Sequence, residues 1–299
     1  MRLGCIGIGS NAIRLLVASW KDGQLCDVRR ERRGTRLFAG LIGGRLTEES
    51  IQSSVNAVDE LAQCARGDGA QEIFVFATSA VRDAANGRAF TDRCEAACGA
   101  RVEIVSGEEE AVLSYIGASD GGVCGMIDIG GGSTELVAYD GGRISSGCSL
   151  PMGSLSLYTR YVAGLFPTRE ERRAIREQVE AELERARTAK VRCRHLTGVG
   201  GTIRAAAKLC NDLAGTDPDN RIIPAGELQT LYKGLKKGDR DTLRQILRSA
   251  PDRVHTILPG LIILNAVMKS YGVETVSVSA CGVREGYLMN RVMGVTQHD

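Results

Sequence analysis

Residues 127–138, Ile-Asp-Ile-Gly-Gly-Gly-Ser-Thr-Glu-Leu-Val-Ala, constrain the fold of this chain more than any other segment. Two apolar strands are joined here by a turn that carries an acid, Asp128, and three consecutive glycines. Glycines let backbone N–H groups close around an anion, and an aspartate can hold Mg²⁺ directly or through water. The turn therefore favours a phosphate site, although a glycine-rich hairpin that binds no ligand has the same pattern.

The residues after the glycines fit the same chemistry. Ser133 and Thr134 supply hydroxyl donors, and Glu135 lies just inside the returning strand, where it can face the same site. Two other segments, one before and one after this hairpin, add similar groups. Thr78 and Ser79 lie at the predicted end of a strand with Arg82 close behind, which suits phosphate, while a surface ion pair would explain Arg82 equally well.

A second glycine-rich segment, Gly-Val-Gly-Gly-Thr at 198–202, opens a predicted helix over 202–210. Glycines before a helix N-terminus make an anion cradle, although close packing of helix against strand requires them too.

Another predicted helix opens with three adjacent acids, Glu108, Glu109 and Glu110. Such acids commonly complement the helix dipole, but the three point in different directions, so that one of them can act as a base.

The N-terminal segment 6–18 echoes the glycine-rich hairpin. Both copies show an apolar strand, a glycine-containing turn and a second strand, and both then reach an Asp-Gly pair, at Asp22-Gly23 and at Asp140-Gly141. The spacing is far longer than that of a solenoid repeat. The pattern indicates two related α/β halves, and ligands are then expected in a cleft between them.

Length and composition agree with two domains, because 299 residues exceed what one core usually accommodates. We predict an N-terminal domain over 1–122 and a C-terminal domain over 123–299. Neither a transmembrane run nor a signal-peptide pattern is found, and the net charge is only +2. These features predict a cytoplasmic protein that binds no membrane and no nucleic acid.

The ten cysteines are scattered without a C-x-x-C pair, and reduced thiols are expected. Three histidines offer little material for a histidine metal site or a Ser-His-Asp triad. We therefore expect catalysis to use carboxylates and Mg²⁺.

Two basic clusters are either solvated faces or parts of an anion groove. They are Arg29, Arg30, Arg32, Arg33 and Arg36, and Lys233, Lys236, Lys237 and Arg240.

Five segments in a fixed order carry a family resemblance: 77–84, 106–111, 127–137, 198–202 and 282–286. In this order they resemble the exopolyphosphatase / guanosine pentaphosphate phosphatase family. The resemblance covers the chain from the first strand to the last helix. It implies an α/β fold of two actin-like ATPase (ribonuclease H-like) domains with an interdomain cleft, and a hydrolase that acts on phosphoanhydride bonds.

The resemblance also implies roles for individual residues. Glu110 is expected to be the catalytic base, and Asp128 and Glu135 are expected to hold Mg²⁺. The expected substrate-binding residues are Ser10, Asn11, Ser79, Arg82, Gly130, Gly131, Gly132, Ser133, Thr134, Gly200, Gly201 and Thr202. The implied reaction releases terminal phosphate from inorganic polyphosphate or converts the guanosine pentaphosphate pppGpp to the tetraphosphate ppGpp, with water as the nucleophile.

One position departs from the family. Its first turn reads Asp-x-Gly-Ser-Asn, whereas this chain has Gly7-Ile8-Gly9-Ser10-Asn11. The missing carboxylate makes a non-hydrolytic polyphosphate or alarmone sensor the main alternative to a hydrolase, and a kinase of the same fold is the third. The sequence leaves open which of the two substrates is preferred and whether the chain forms a homodimer.

Overall fold

The computed structural model describes residues 1–118, 124–140, 143–186 and 193–293. The chain divides into two compact units. The first comprises Met1–Gly117 together with Cys281–Asp299, and the second comprises Ala118–Ala280.

The first unit is built on a mixed sheet flanked by helices. Its strands are β1 (Arg2–Ile8), β2 (Ile13–Lys21), β3 (Gln24–Arg33), the short β4 (Leu41–Ile42) and β5 (Arg45–Leu46), β6 (Glu72–Ala77) and β7 (Val102–Ile104). Its helices are α1 (Glu48–Gly67), α2 (Ser79–Arg82), α3 (Gly87–Cys98), α4 (Gly107–Ala118) and, from the end of the chain, α11 (Val283–Met293). The main sheet has the order β3-β2-β1-β6-β7, with β4 and β5 paired separately.

Both faces of this sheet are covered, and β1 shows why. Ile6 and Ile8 point into a core formed with α1 and α3, whereas Leu3 and Cys5 belong to a second core that includes Phe76 and residues of α4 and α11. A strand that is buried on both faces has a nearly continuous run of apolar residues in its sequence. This is the pattern of residues 3–8 in the sequence.

The sequence predicts a helix over 47–66 with Thr47 as its N-cap, and the structure confirms it as α1. The Thr47 side chain accepts a hydrogen bond from the Ser50 N–H at 3.4 Å, and Glu48 and Glu49 lie in the first turn. The hydroxyl satisfies a backbone donor that the helix leaves free, and the two carboxylates complement the dipole.

The second unit is also a mixed sheet with helices. Its strands are β8 (Cys124–Ile129), β9 (Thr134–Asp140), β10 (Arg143–Leu150), β11 (His195–Val199), β12 (Ile222–Pro224) and β13 (Thr275–Val278). Its helices are α5 (Ser154–Tyr161), α6 (Arg169–Arg185), α7 (Gly201–Ala214), α8 (Ala225–Leu235), α9 (Arg240–Ser249) and α10 (Ile257–Tyr271). The sheet has the order β10-β9-β8-β11-β13-β12.

The two sheets share one topology. In each, three antiparallel strands form a meander (β1-β2-β3 and β8-β9-β10), and two parallel strands extend the sheet from the first strand of the meander (β6-β7 and β11-β13). The second sheet adds only the antiparallel edge strand β12. This repeated order confirms the duplication and the predicted class, an α/β protein of two ribonuclease H-like, actin-like domains.

The division of the chain differs from the predicted one in one respect. The sequence-based boundary assigns everything after residue 122 to the second domain, whereas α11 packs against β1 and groups with the first unit. The physical reason is apolar burial. Tyr287 and Leu288 of α11 complete the core that contains Leu3 and Phe76, and the Tyr287 ring stacks on Phe76 with 4.7 Å between centroids.

Three further predictions concern the segment 211–225, the second Asp-Gly pair and the cysteines. The polar composition of residues 211–225 predicts a linker, but the structure has the end of α7 and the strand β12 there. Gly141 of the second Asp-Gly pair lies outside the described residues. Cys193 is disulfide-bonded, contrary to the expectation of reduced thiols. Eight cysteines among the described residues form no disulfide: Cys5, Cys26, Cys64, Cys94, Cys98, Cys148, Cys210 and Cys281.

Among the described residues, no helix combines the length and the apolar character that crossing a bilayer requires.

Candidate active site

In the first unit, the predicted substrate-binding hydroxyls lie together at one edge of the sheet. β1 and β6 are parallel neighbours, with Ile8 paired to Ala77, so the residues that follow both strands meet. The buried Ser10 and Ser79 Oγ atoms are 3.1 Å apart. Asn11 lies beside them, half-buried, and its carbonyl oxygen accepts a hydrogen bond from the Arg36 N–H at 3.1 Å.

Arg82 and Glu110 form a partly buried ion pair at the same edge. Arg82 Nη1 lies 3.1 Å from Glu110 Oε2 and also donates to the Val105 carbonyl oxygen at 3.0 Å. The structure thus gives Arg82 an ion pair, as in the alternative interpretation, but with a candidate catalytic group as the partner. Burial raises the pKa of the neighbouring Asp83 carboxyl, and the positive charge of Arg82 opposes that effect.

The three acids of the α4 first turn differ sharply in exposure. Glu108 and Glu109 are exposed, whereas Glu110 retains only 8% of its accessible surface. Glu109 caps its own helix by accepting a hydrogen bond from the Ser106 N–H at 2.7 Å. Glu109 therefore has a capping role, and Glu110 is the acid of this turn that points into the unit.

Gly7, the position of the missing family aspartate, lies within β1 in ordinary extended geometry, since it is not among the residues with positive φ. A Cβ at Gly7 would lie 3.0 Å from Phe76 Cζ and 3.3 Å from Arg284 Cγ. The backbone would therefore accept an aspartate, but the space that its side chain needs is bounded by an aromatic ring and the stem of an arginine.

In the second unit, the two candidate metal ligands are direct neighbours across the sheet. Asp128 of β8 pairs in register with Glu135 of β9, so both carboxylates lie on one face. Glu135 is buried and accepts a hydrogen bond from Ser149 Oγ of β10 at 2.8 Å. Burial raises the pKa of the adjacent Cys148 thiol, and the negative charge of Glu135 adds to that effect.

The glycine turn between these strands is held by the start of α5. The Gly130 carbonyl oxygen accepts from the Ser154 N–H at 3.0 Å, and the Gly131 carbonyl oxygen accepts from the N–H groups of Leu155 and Ser156. Ser156 Oγ donates to the Gly132 carbonyl oxygen at 3.1 Å. The carbonyl oxygens of Gly130, Gly131 and Gly132 therefore accept hydrogen bonds from the start of α5.

The N–H groups of the same turn have a different environment. Gly130 N–H closes the turn on the Ser133 carbonyl oxygen at 3.0 Å. Within the described part of the chain, the N–H groups of Gly131, Gly132 and Ser133 donate no hydrogen bond. Consecutive free N–H groups at a turn form a concave anion site.

The second glycine segment meets the first at Asp128. Gly200 has φ +97° and ψ 166°, a conformation essentially restricted to glycine, and a Cβ there would lie 2.7 Å from Asp128 Oδ1. Gly201 opens α7, and Thr202 Oγ1 is buried without a hydrogen-bond partner. An unpaired buried hydroxyl at a helix N-terminus is a candidate donor to an anion.

Thr134 differs from the other predicted substrate-binding residues. Its hydroxyl is fully buried and donates to the Met152 carbonyl oxygen at 2.5 Å. The proton that would serve a phosphate oxygen is used in fixing the segment between β10 and α5. The contact assigns Thr134 a structural role in supporting the turn.

Sequence reasoning missed the residues that support the turn. Gly153 lies so close to it that a Cβ would be 2.3 Å from the Gly131 carbonyl carbon, and Ser154, Ser156 and Ser149 hold the turn or Glu135 through their hydroxyls. A glycine followed by serines at the start of a helix is the available signal. The glycine turn at 130–133 is thus fixed by a helix that lies about 20 residues further along the chain.

The described residues contain no cluster of three or more histidine, cysteine, aspartate or glutamate side chains arranged to hold a metal ion. Asp128 and Glu135 provide two carboxylates on one face. Mg²⁺ is commonly held by one or two carboxylates, with water and substrate phosphate completing its shell. The donor set therefore fits Mg²⁺ in the presence of a phosphate substrate.

The first basic cluster is largely neutralised. Arg29 pairs with Asp68, Arg30 with Glu285 at 3.0 Å and Arg33 with Glu60 at 3.0 Å. These pairs link β3 to α1 and α11 and leave little free positive charge for a ligand. The interpretation of this cluster as part of an anion groove is therefore not supported.

Comparisons with known proteins agree with the geometry. The sequence profile of the Ppx/GppA phosphatase family matches residues 16–293. Exopolyphosphatase 1 of Mycobacterium tuberculosis is 26% identical over 306 residues, which cover 98% of this chain and 88% of that protein. The guanosine-5'-triphosphate,3'-diphosphate pyrophosphatase of Photobacterium profundum is 26% identical, and the match covers 98% of this chain but only 60% of that longer protein.

A solved structure extends the comparison. The Ppx/GppA family member of Aquifex aeolicus superposes with a TM-score of 0.79 at 28% sequence identity and covers 100% of this chain and 99% of that chain. The profile match spans nearly the whole sequence and both units. The chain belongs to the Ppx/GppA phosphatase family.

Proposed function

We propose that this chain is a Mg²⁺-dependent hydrolase that releases terminal phosphate from inorganic polyphosphate, converts pppGpp to ppGpp, or does both. The observation that carries the proposal is the turn at 130–133, where three successive N–H groups are free and Asp128 lies alongside. The names of the relatives, exopolyphosphatase and pppGpp pyrophosphatase, support both substrates.

In the proposed reaction, water attacks the terminal phosphorus, the bridging P–O bond breaks, and Glu110 accepts the proton of the water. The N–H groups of Gly131, Gly132 and Ser133 hold phosphate oxygens, and the Thr202 hydroxyl contributes a further donor. Phosphoryl transfer depends mainly on positioning and charge stabilisation, which fixed backbone donors provide without reorganisation. Ser10, Asn11, Ser79, Gly200 and Gly201 are proposed to line the substrate site.

Asp128 and Glu135 are the proposed Mg²⁺ ligands. When bound, Mg²⁺ neutralises charge that develops on the phosphate oxygens. Ser149 orients Glu135 by donating to its carboxylate, and Gly200 leaves room for Asp128. Arg82 is proposed to hold Glu110 in place through the ion pair described above, and its own contact with phosphate stays a prediction.

Phosphate release from long-chain polyphosphate, tripolyphosphate and pppGpp, each with Mg²⁺ and with EDTA, tests the proposal. A hydrolase releases phosphate without an acceptor, and we expect this from at least one substrate in the presence of Mg²⁺ only. Binding without release would identify the non-hydrolytic sensor, which none of the relatives cited above supports. Nucleotide turnover that depends on an added acceptor would identify a kinase.

We expect Asp128→Asn to lower turnover by at least about tenfold and to shift the Mg²⁺ titration of activity to higher concentration, because a metal ligand loses its charge. The control is Asp241→Asn, which removes an exposed carboxylate that pairs with Arg244 on α9. Direct Mn²⁺ binding provides a second measurement. An unchanged titration curve would place the metal elsewhere.

We expect Gly7→Asp to raise phosphate release relative to Gly7→Ala, since both variants crowd Phe76 but only one adds a carboxylate. Overpacking of this kind typically costs about 1–3 kcal/mol, so both melting temperatures are expected to fall. Equal or lower turnover in Gly7→Asp would show that glycine is an adapted feature of this site. The measurements are kcat with the best substrate and thermal unfolding of all three proteins.

A further inference from the structure

The second basic cluster has a defined place in the second unit. α10 begins at the carboxyl end of the parallel strands, where Gly260 approaches Thr202, and it runs towards the start of β13. β12 runs antiparallel to β13, so α8 after it runs back towards the carboxyl end. The end of α8 therefore lies towards the level of the glycine turns at 130–133 and 200–202. The start of α6 lies beside the end of α8, because Phe166, just before α6, contacts Gly238, just after α8.

Six cations gather at this level, and we refer to them as the basic ledge: Arg169, Arg172 and Arg176 on α6, and Lys233, Lys236 and Lys237 at the end of α8. The spacings of three and four residues place the arginines on one side of α6. Lys233 lies in the last turn of α8, and Lys236 and Lys237 follow directly after it. The two helices are in contact. Arg176 Nη2 lies 3.5 Å from the Tyr232 hydroxyl, and Gly238 lies against Phe166 just before α6.

The arginines of β3 are neutralised by ion pairs with carboxylates, whereas the cations of the basic ledge are not. Within the described residues, none of its six cations forms an ion pair. Nearby carboxylates serve as helix caps: Glu171 accepts from the Thr168 N–H at 2.7 Å and Asp239 from the Thr242 N–H at 2.8 Å. The three lysines are exposed, and the ledge keeps an excess of positive charge.

We propose that the basic ledge binds the distal phosphates of a long inorganic polyphosphate whose terminal phosphate occupies the turn at 130–133. This inference rests on the proposed function and assigns it a substrate preference, for long chains over tripolyphosphate. The ledge and the turn belong to one unit and lie at one end of its sheet. α10, which packs against both α6 and α8, begins beside Thr202, where Gly260 approaches the Thr202 methyl group.

The composition of the ledge favours polyphosphate over single-stranded nucleic acid. Nucleic acid grooves of this kind combine cations with aromatic rings on which bases stack. Tyr232 and Phe166 are aromatic residues at the ledge, and both are half-buried, with the Tyr232 hydroxyl at Arg176. Three ammonium and three guanidinium groups beside half-buried rings fit a repeating charge that carries no bases.

The test compares the full chain with the variant Lys233→Gln/Lys236→Gln/Lys237→Gln. The control variant, Arg194→Gln/Lys208→Gln/Lys269→Gln, removes the same charge from exposed positions of the same unit. Arg194 precedes β11 and Lys269 lies near the end of α10, so both are at the opposite end of the sheet. Binding of long-chain polyphosphate is measured in EDTA, and phosphate release is measured from long polyphosphate and from tripolyphosphate.

We expect the lysine variant to bind long polyphosphate roughly tenfold more weakly, because each exposed charge contact contributes a factor of about 1.5–5. The slope of log affinity against log salt should fall by about 2. The ratio of kcat/KM for long polyphosphate to that for tripolyphosphate should fall by a similar factor of about ten. The control variant should match the wild-type protein.

The outcomes separate the two proposals. If the protein releases phosphate from no substrate but only the lysine variant loses polyphosphate binding, the proposed hydrolysis is wrong and the proposal for the basic ledge is supported. If phosphate is released and both variants bind long polyphosphate equally well, the proposal for the basic ledge is overturned and the proposed hydrolysis is supported. Tighter binding of a single-stranded RNA homopolymer than of polyphosphate, at equal phosphate concentration, would assign the ledge to nucleic acid and overturn the proposal.

Discussion

Glu110→Gln is expected to lose phosphate release by about 10²–10⁴-fold while substrate binding survives, because the variant keeps the shape of the side chain and removes the base. The amide oxygen can still accept the hydrogen bond from Arg82, so the local structure is retained. Release is measured with saturating substrate, and affinity is measured separately in EDTA. A loss confined to kcat is the signature of the missing base.

The matched control is Glu108→Gln, two residues earlier in the same helical turn. Glu108 is exposed and, within the described residues, has no hydrogen bond or ion pair. We expect its variant to retain wild-type turnover. A Glu110→Gln enzyme within a few-fold of wild type would remove Glu110 from the role of base and direct attention to another carboxylate.

Gly200→Ala is expected to lower phosphate release by roughly 100-fold, the effect of moving a catalytic group by about 1 Å. The added Cβ would lie 2.7 Å from Asp128 Oδ1 and 2.8 Å from the Ile129 carbonyl oxygen, so the carboxylate must move. The backbone conformation itself disfavours alanine by about 1–3 kcal/mol. Thermal unfolding and phosphate release are measured together.

The control for backbone strain is Gly215→Ala. Gly215 also has a positive φ, +65°, but a Cβ there would have nothing within 4 Å. Its variant should lose some stability and keep its activity. If the two variants lost activity equally, the effect at Gly200 would be one of general stability, and the argument from the Asp128 contact would fail.

The fold could be predicted because strand and helix patterns are local. The meander at the start of each unit and the helix over 47–66 have apolar periodicities that the structure repeats. The strand β12 was missed because three residues ending in Pro224 form too short an apolar run, and its pairing with β13 is set by residues more than 50 positions away.

The candidate site was only partly accessible from sequence. Glycine turns at strand ends predict phosphate donors wherever they occur, so Gly131 and Gly200 could be identified. The contact between Ser10 and Ser79 depends on which strands are neighbours, and the burial of Glu110 rather than Glu108 depends on how α4 is rotated. Such information comes from tertiary packing, which local propensity does not contain.

The discontinuity of the first unit has a consequence for the order in which the chain folds during synthesis. Domains generally fold as units as the chain emerges, the N-terminal one first. Here the side chains of Leu3, Leu16 and Phe76 are covered by Tyr287 and Leu288, which are synthesised only after the whole second unit. The second unit, whose residues are contiguous, can complete its core before the first, so the N-terminal unit remains open to chaperones until translation reaches α11.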